Sequence, residues 1–581
     1  MTILVTYDIE SYPNFFCLCA KSYTSGKKYQ FEISERVNDI NQLIDFMRIL
    51  ANQNAYLVGF NNVGYDYPVL HHVLSGGNHF EKTQEIIGSD FGYRGHLISK
   101  PLIKQVDLML INHYNNMAKA TSLKQLEFVM RSDNLQDLPY EPGTCLSHQA
   151  MEDSVVYCHK DVEETEKFLK YSMSAVEFRI QLGNDYLLNA DDTKIGEHTL
   201  VEKIGRHKCY GQGRQPIQTF RDQINLAECI VPYVKFKDIE LRKAECFLKA
   251  QVIKETKGVF DGLKANLKGF DLVFGLGGLH GCIEPSVVRS CDKYLLIDMD
   301  VTSYYPSLAI SNNFYPEHLG IEFVGQYANL KTERQKYAKG TPENAMFKLA
   351  LNGAYGKSNS KYSPLYDPKF TMQITINGQL LLCMLLEELM SINLVSPIQA
   401  NTDGVTMLVR RTKIDQFMQV CKDWEKLTGL ELERADYSAM YIRDVNNYIA
   451  VGEKGIKYKG CYDHDREYHK NHSQMVVPKV AELHMMYGAP IEETVRSWTN
   501  PFDFMLFAKS SGTLDIDGKI IQRRSRYYIS TSGGTLTKTL KSGRASKLQK
   551  EFKVTECNSN TNLVNIDYDY YIEEVKKICV K

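Results

Sequence analysis

Residues 294–308 read YLLIDMDVTSYYPSL. The apolar run at its start is a buried strand by pattern, and the strand ends in two acids, Asp298 and Asp300. A carboxylate at the end of a buried strand is costly unless it is paired or holds a metal ion. Further along, residues 397–406 read PIQANTDGVT. That is a short strand, a tight turn and a second strand, with one carboxylate, Asp403, at the tip. A single Asp holds a divalent ion poorly, and the neighbour that could assist it is Asn401. The tip is therefore either an ordinary turn or half of a site whose other half lies elsewhere.

Between these stretches, TPENAMFKLALNGAYGKS spans residues 341–358. Thr341 suits an N-cap and Pro342 the first helical position, so a helix is expected to start here. Lys348, Asn352 and Tyr355 fall on one stripe of that helix, and Gly356 is placed to end it. An ammonium, an amide and a phenol on one stripe suit phosphate, sugar and base contacts. A solvated helical face carries such residues too.

The N-terminal third holds a second set of acids. Asp8 and Glu10 are two apart on the strand ILVTYDI, so they share a face and can share a hard cation such as Mg²⁺. In GFNNVGYDYPVL, residues 59–70, Asp66 follows a strand and the turn-like NNVG. In YCHKD, residues 157–161, Tyr157 and Asp161 lie one turn apart on a helix expected from about Ser147 to Gln181. A phenol beside a carboxylate can orient a water for attack on a phosphodiester. Taken singly, Asp66 could be a helix cap and Tyr157 a core aromatic.

The chain has 581 residues, enough for three or four compact units. Hydrophobic content of 43% and charged content of 24% fit a soluble globular protein. The start, MTILVTYDIE, lacks a secretory signal pattern, and LLLCMLLEELM is too short and too acidic to cross a bilayer. The 14 Cys are scattered without a CxxC pair, the closest being Cys17 and Cys19. Reduced thiols in a cytoplasm are expected, and zinc ribbons are not. The net charge of −1 hides segregation, because Lys519, Arg523, Arg524, Arg526, Lys538, Lys541, Arg544, Lys547, Lys550 and Lys553 face only Glu551 between 519 and 553. Such a stretch suits a basic nucleic-acid groove as well as a solvated face.

In this order the motifs resemble those of family B DNA polymerases. DxE, then N-x-x-x-Y-D, then Y-x-x-x-D is similar to that family's proofreading 3′–5′ exonuclease domain, of ribonuclease-H-like fold. The resemblance implies that Asp8, Glu10, Asp66 and Asp161 bind two metal ions and that Tyr157 positions the water. Asn61 would contact the single-stranded primer end, with Asn62 a nearby alternative. D-V-T-S-Y-Y-P-S resembles motif A, which implies metal binding at Asp300 and Val301 and a deoxyribose packed on Tyr305. Tyr304 stands where the family usually has Leu. K-x-x-x-N-G-A-Y-G resembles motif B, placing Lys348 on the incoming triphosphate beside Asn352 and Tyr355. Arg334, in KTERQKYAKG, resembles a fingers Arg that also contacts phosphate. NTD resembles motif C, usually DTD, so Asp300 and Asp403 become the polymerase metal pair and Asn401 replaces an acid.

Three more elements resemble DNA grips: FGLGGLHG with Gly277 and Gly278, NNYIAVGEKGIKYKGCY with Tyr448 and Lys459, and RRSRYY with Arg523, Arg524 and Arg526. The implied fold is multidomain, α/β and α+β: a ribonuclease-H-like exonuclease domain and a right-hand polymerase with palm, short fingers and thumb. Its expected segments are exonuclease 1–185, a helical connection 186–265, palm 266–310, fingers 311–358, palm 359–474 and thumb 475–581. The implied activity is template-directed DNA synthesis from dNTPs with two Mg²⁺ or Mn²⁺ ions per site, on primer-template DNA. A nucleic-acid primer is expected, because neither motif gap has room for the insertions of protein-primed members. The size is that of a bacteriophage or viral enzyme, expected as a monomer in the host cytoplasm, off the membrane, working beside a single-strand-binding protein or helicase. The other reading is a 3′–5′ DNA exonuclease whose degenerate polymerase half only binds DNA.

Overall fold

The computed structural model describes residues 2–89 and 95–580. The chain divides into two compact units. The first takes the chain up to Asp192 together with Asp465–Val476 and Val495–Ile572; the second takes Thr193–His464, Val477–Thr494 and the chain from Glu573. The expected C-terminal segment 475–581 is thus shared between the units.

The first unit is built on a five-stranded sheet of β1 (Leu4–Tyr12), β2 (Phe15–Ser22), β3 (Lys28–Ser34), β4 (Tyr56–Gly59) and β5 (Lys104–Asp107). The order is β3-β2-β1-β4-β5, with β1, β2 and β3 antiparallel and β4 and β5 parallel to β1. Alternation divides β1 cleanly. Val5, Tyr7 and Ile9 join a core with α1 (Ile40–Asn52), α2 (Asp66–Leu74) and α3 (His79–Ile87). On α1 the buried residues Leu43, Phe46, Met47 and Leu50 recur at helical spacing, each worth roughly 2 kcal/mol on burial. The opposite sheet face is crossed by α5 (His148–Gln181), which follows the short α4 (Leu123–Val129). Ser147 caps α5 by accepting the Ala150 N–H, so the expected helix and its start are both found.

The same unit holds a three-stranded sheet of Leu506–Lys509, Arg524–Gly534 and Val554–Glu556, and a four-stranded one between Thr513 and Lys547. The basic 519–553 stretch is therefore β structure.

The second unit centres on a ten-stranded sheet. Its path is β14 (Gly455–Tyr458), β13 (Asn447–Gly452), β12 (Leu432–Asp444), β9 (Tyr294–Val301), β11 (Gly404–Arg410), β10 (Val395–Asn401), β8 (Gly278–Cys282), β7 (Phe270–Gly275) and β6 (Lys264–Leu267), with Ser286–Arg289 pairing β12 to one side. Helices α6 (Tyr304–Ser311), α7 (Glu322–Gln335), α8 (Pro342–Lys357) and α9 (Pro368–Leu389) complete it. α9 is apolar all round and accordingly buried nearly throughout. It contains LLLCMLLEELM, whose Glu387 is buried because its carboxylate accepts the Lys237 and Asp238 N–H groups. Thr341 caps α8 as expected, but the helix passes through Gly356 to Lys357. The expected helical connection between 186 and 265 is interrupted: its longer helices are Asp192–Ile204 and Ile239–Lys249, with turns and short strands between them. Among the described residues no helix is long and apolar enough to cross a membrane.

Candidate functional site

In the first unit, β1, α2, α4 and α5 converge on a cleft of about 310 Å³ lined by Asp8, Glu10, Asn61, Asp66 and Asp161. The four acids expected to act together are therefore brought together. Tyr157, one turn before Asp161, is buried, with the Lys124 Nζ 4.6 Å from its ring centre. Burial, then the charge of Asp161, pushes the Tyr157 phenol up, so it stays protonated. Burial also pushes Asp8 and Glu10 well up; neighbouring acids add to this, and Lys124 opposes it. Asp66 is pushed up to about 7, chiefly by burial. Four carboxylates line the cleft against one nearby ammonium, that of Lys124 beside Asp161, so the site is rich in hard oxygen donors and net negative. That combination fits a hard divalent cation such as Mg²⁺ or Mn²⁺.

Sequence reading missed three residues here. Lys124, on α4, places its ammonium 2.6 Å from Asp161 and 2.7 Å from Glu127. Asp107, at the end of β5, accepts the N–H groups of Asn61, Val63, Met109 and Leu110 and so pins the turn before Asp66. Burial raises its carboxyl to about 6 despite these bonds. Gln105 holds Asn62, whose amide donates to it at 3.0 Å. Asn62 is fully buried, whereas Asn61, at φ 66°, lines the cleft. Of the two, Asn61 is the one whose side of the turn faces the cleft.

In the second unit, β9 and β11 pair so that Asp300 stands across from Gly404. The Val301 N–H donates to the Asp403 carbonyl at 2.8 Å, fixing the hairpin tip beside the strand end. Thr402 takes φ 53° at that tip. Gly404 admits the Asp300 carboxylate, since a Cβ there would stand 2.0 Å from Asp300 Oδ1. Asp300 is raised to about 7, first by burial and then by Asp298, with Lys457 opposing. Asp403 stands exposed at the tip, yet desolvation by the pocket around its carboxyl raises it as well. Asp298, the rival acid, is occupied: Thr406 donates to one oxygen at 2.6 Å and Tyr437 to the other at 2.7 Å. Asn401, Tyr448 and Lys457 line the same pocket. Lys457 was not anticipated; it is half-buried, while the expected Lys459 is exposed.

Tyr305 and Tyr355 meet with ring centres 4.3 Å apart, and their hydroxyls approach the carbonyls of Gly277 and Leu276 at 3.4 Å. Tyr304 is buried and donates to the Gly378 carbonyl. Arg334 reaches Ser303 at 3.2 Å and Lys331 reaches Ser307 at 2.9 Å, so both cations turn toward the start of α6. Lys348 and Asn352 are exposed on α8.

Two expected DNA contacts are corrected. Arg526 is fully buried, and its guanidinium donates to the carbonyls of Cys557, Ser132, Asp133 and Asn558, a structural role that leaves it unexposed to phosphate. Gly278 is buried at φ 121°, where a Cβ would meet Thr402 at 2.9 Å; packing under the hairpin tip accounts for it. Gly277 is exposed with open space at its Cβ. Arg523 and Arg524 are exposed beside Glu141 and Asp137, at 3.6 and 3.8 Å.

No protein-family model matches the chain. A solved family B DNA polymerase from the hyperthermophilic archaeon Pyrobaculum calidifontis is similar at a TM-score of 0.46 and 15% identity, over 100% of this chain and 77% of that one. The mitochondrial import inner membrane translocase subunit tim50 of Dictyostelium discoideum is 29% identical over 106 residues, which is 17% of this chain. The chain spans about a quarter of that relative's length, 27%.

Proposed function

We propose that the chain is a template-directed DNA polymerase of the family B type that extends a nucleic-acid primer with dNTPs and proofreads with a 3′–5′ exonuclease. The observation that carries this reading is the register of β9 and β11. It unites Asp300 and Asp403, acids from two motifs far apart in sequence, beside the tilted ring pair Tyr305 and Tyr355. Asp300, Asp403 and the backbone carbonyl of Val301 would hold two Mg²⁺ or Mn²⁺ ions, which supply charge for the triphosphate and activate the attacking 3′-hydroxyl. Val301 itself is apolar and buried, so only its carbonyl could serve. Tyr305 presents its ring to the sugar and excludes a 2′-hydroxyl by contact. Arg334 and Lys348 meet the phosphates as fixed and mobile cations. The exposed Lys459 and Gly277 hold the primer-template, and Tyr448, itself buried, meets the primer end only from within the Asp300 pocket that it lines.

In the first unit, Asp8, Glu10, Asp66 and Asp161 would hold the second pair of ions, Tyr157 orients the water, and Asn61 grips the displaced primer end. The five-stranded mixed sheet crossed by α5 supports the ribonuclease-H-like reading. In this reading the chain is a phage or viral replication enzyme acting as a monomer in the host cytoplasm, with a single-strand-binding protein or helicase as further partner. One observation favours the second reading, an exonuclease with a DNA-binding but inert second unit. The pocket around Asp300 holds Asn401 and Lys457 where more negative charge would strengthen metal binding.

Primer extension decides between them. With dNTPs and Mg²⁺ the wild type extends a primed template and trims a mismatched end. Asp403→Ala loses extension and keeps trimming, and Asp66→Ala does the reverse. A wild type that trims but never extends establishes the second reading.

A further inference from the structure

The cysteines of the first unit have no part in either acidic site as described above. Cys17 and Cys19 lie two apart on β2, so both side chains leave one face of the sheet. Their cross-strand partners on β1 are Glu10 and Asp8. On that face α5 brings down Cys158, and the three sulfur atoms lie within 4.8 Å of one another. Among the described residues this is the one group of three or more His, Cys, Asp or Glu ligand atoms so closely gathered. All three residues are 0% exposed. The Cys158 sulfur also lies 3.7 Å from Asp8 Oδ2 and 3.4 Å from the Asp8 carbonyl oxygen.

Sulfurs around a tetrahedral zinc ion, bound at about 2.3 Å, stand roughly 3.8 Å apart. Gathered to within 4.8 Å, the three sulfurs would have to draw together by up to about 1 Å to reach that spacing. We propose that Cys17, Cys19 and Cys158 form a binding site for one thiophilic divalent ion of the Zn²⁺ or Cd²⁺ kind, with Asp8 Oδ2 as the oxygen that completes four-fold coordination. Each thiol releases its proton to solvent as its metal–sulfur bond forms, and no electron is transferred. Buried cysteines also serve as small apolar core residues. Burial alone, however, does not converge three sulfurs from a strand and a helix at ligand spacing with a carboxylate alongside. Hard oxygen donors at the open cleft and soft sulfur donors beneath it sort ions by type. Asp8 is common to both, so occupation of the thiol site withdraws one oxygen ligand from the cleft. The site stands whether or not the cleft is hydrolytic.

The exposed Cys145, Cys246 and Cys291 would compete for the ion, so the test uses a full-length chain with those three changed to Ser. Cd²⁺ is titrated in, sulfur-to-cadmium charge-transfer absorption is followed, and metal retained through gel filtration is counted. One equivalent per chain is expected, with a rise in melting temperature as the ion binds the folded state. Cys17→Ala, Cys19→Ala and Cys158→Ala should each weaken Cd²⁺ binding at least tenfold. X-ray absorption on the same background, which needs no change in the core, should count three sulfur neighbours around cadmium. No retained ion, fewer than three sulfurs, or equal affinity after removal of Cys158 overturns the site.

Discussion

Asp300 owes its position to the residue opposite. A Cβ at Gly404 would stand 2.0 Å from Asp300 Oδ1 and 2.9 Å from the Met299 carbonyl, so the carboxylate would have to rotate off its position and the strand to shift. Gly404→Ala should therefore cut primer extension about 100-fold, the usual result of misplacing a reacting group by an ångström, while exonuclease activity on the same preparation is retained. Lys124 tests the other acids. Lys124→Met leaves Asp161 buried without its cation and Glu127 with only Lys160, at 3.4 Å, and urea denaturation should show a loss of about 3–5 kcal/mol. Titration gives a third test. Asp66 and Asp300, each raised from 3.8 to about 7, bind protons more tightly folded than unfolded. In chelator, the stability they contribute is whole below their unfolded values and lost as pH rises through about 7. A divalent ion that binds only the ionised carboxylates should reverse the loss. Melting curves from acidic to mildly alkaline pH, with and without Mg²⁺, should diverge as pH rises; parallel curves would refute shared metal sites. The acids themselves were legible in sequence because local motifs announce them. Lys124 and Asp107 were not, since each acts on a residue of another element and no local spacing marks it.

At the scale of elements, hairpin, strand and long helix were readable, and the reason is local chemistry. Ser147 and Thr341 start α5 and α8 where capping predicts, and the strand–turn–strand around Asp403 follows from its pattern. Gly356 misled because a glycine inside a helix end is tolerated when the C-terminal turn is closed by its neighbours; Ser358 donates its N–H to the Tyr355 carbonyl. The interrupted 186–265 region misled because its turn residues were passed over: Gly205, Gly213, Gly258 and Gly262 all take positive φ, which no helix continues through. The adjacent glycines Gly277 and Gly278 of FGLGGLHG looked alike in sequence, yet only burial separates their roles. Gly278→Ala puts a Cβ 3.0 Å from the Thr402 backbone and strains a left-handed φ of 121°. Lower thermal stability and weaker extension are expected together, because the hairpin that carries Asp403 rests on it. Gly277→Ala meets nothing within 4 Å and should melt as the wild type does. If both variants melt alike, packing does not explain Gly278.

For the molecule as a whole, a net charge of −1 gives no general attraction to DNA, so affinity has to come from local cations. The basic stretch read from sequence as one surface is divided by the fold. Arg523 and Arg524 are exposed, each beside a single acid at 3.6 and 3.8 Å, and such pairs are worth about 0–1 kcal/mol. They can exchange Glu141 and Asp137 for phosphate at little cost. Arg526 cannot, because its donors hold four carbonyls in the interior. The three arginines should therefore separate in one measurement, the affinity for primer-template DNA followed by fluorescence anisotropy across a salt series. Each phosphate contact contributes about 0.9 to the slope of log affinity against log salt. Arg523→Ala with Arg524→Ala should flatten that slope by about 2 and leave the melting temperature unchanged. Arg526→Ala should do the opposite, keeping the slope while lowering stability, because the buried Ser132 and Cys557 carbonyls lose this donor. An unchanged slope in the double variant would remove this surface from the DNA path and leave Tyr448, Lys459 and Gly277 to carry the duplex alone.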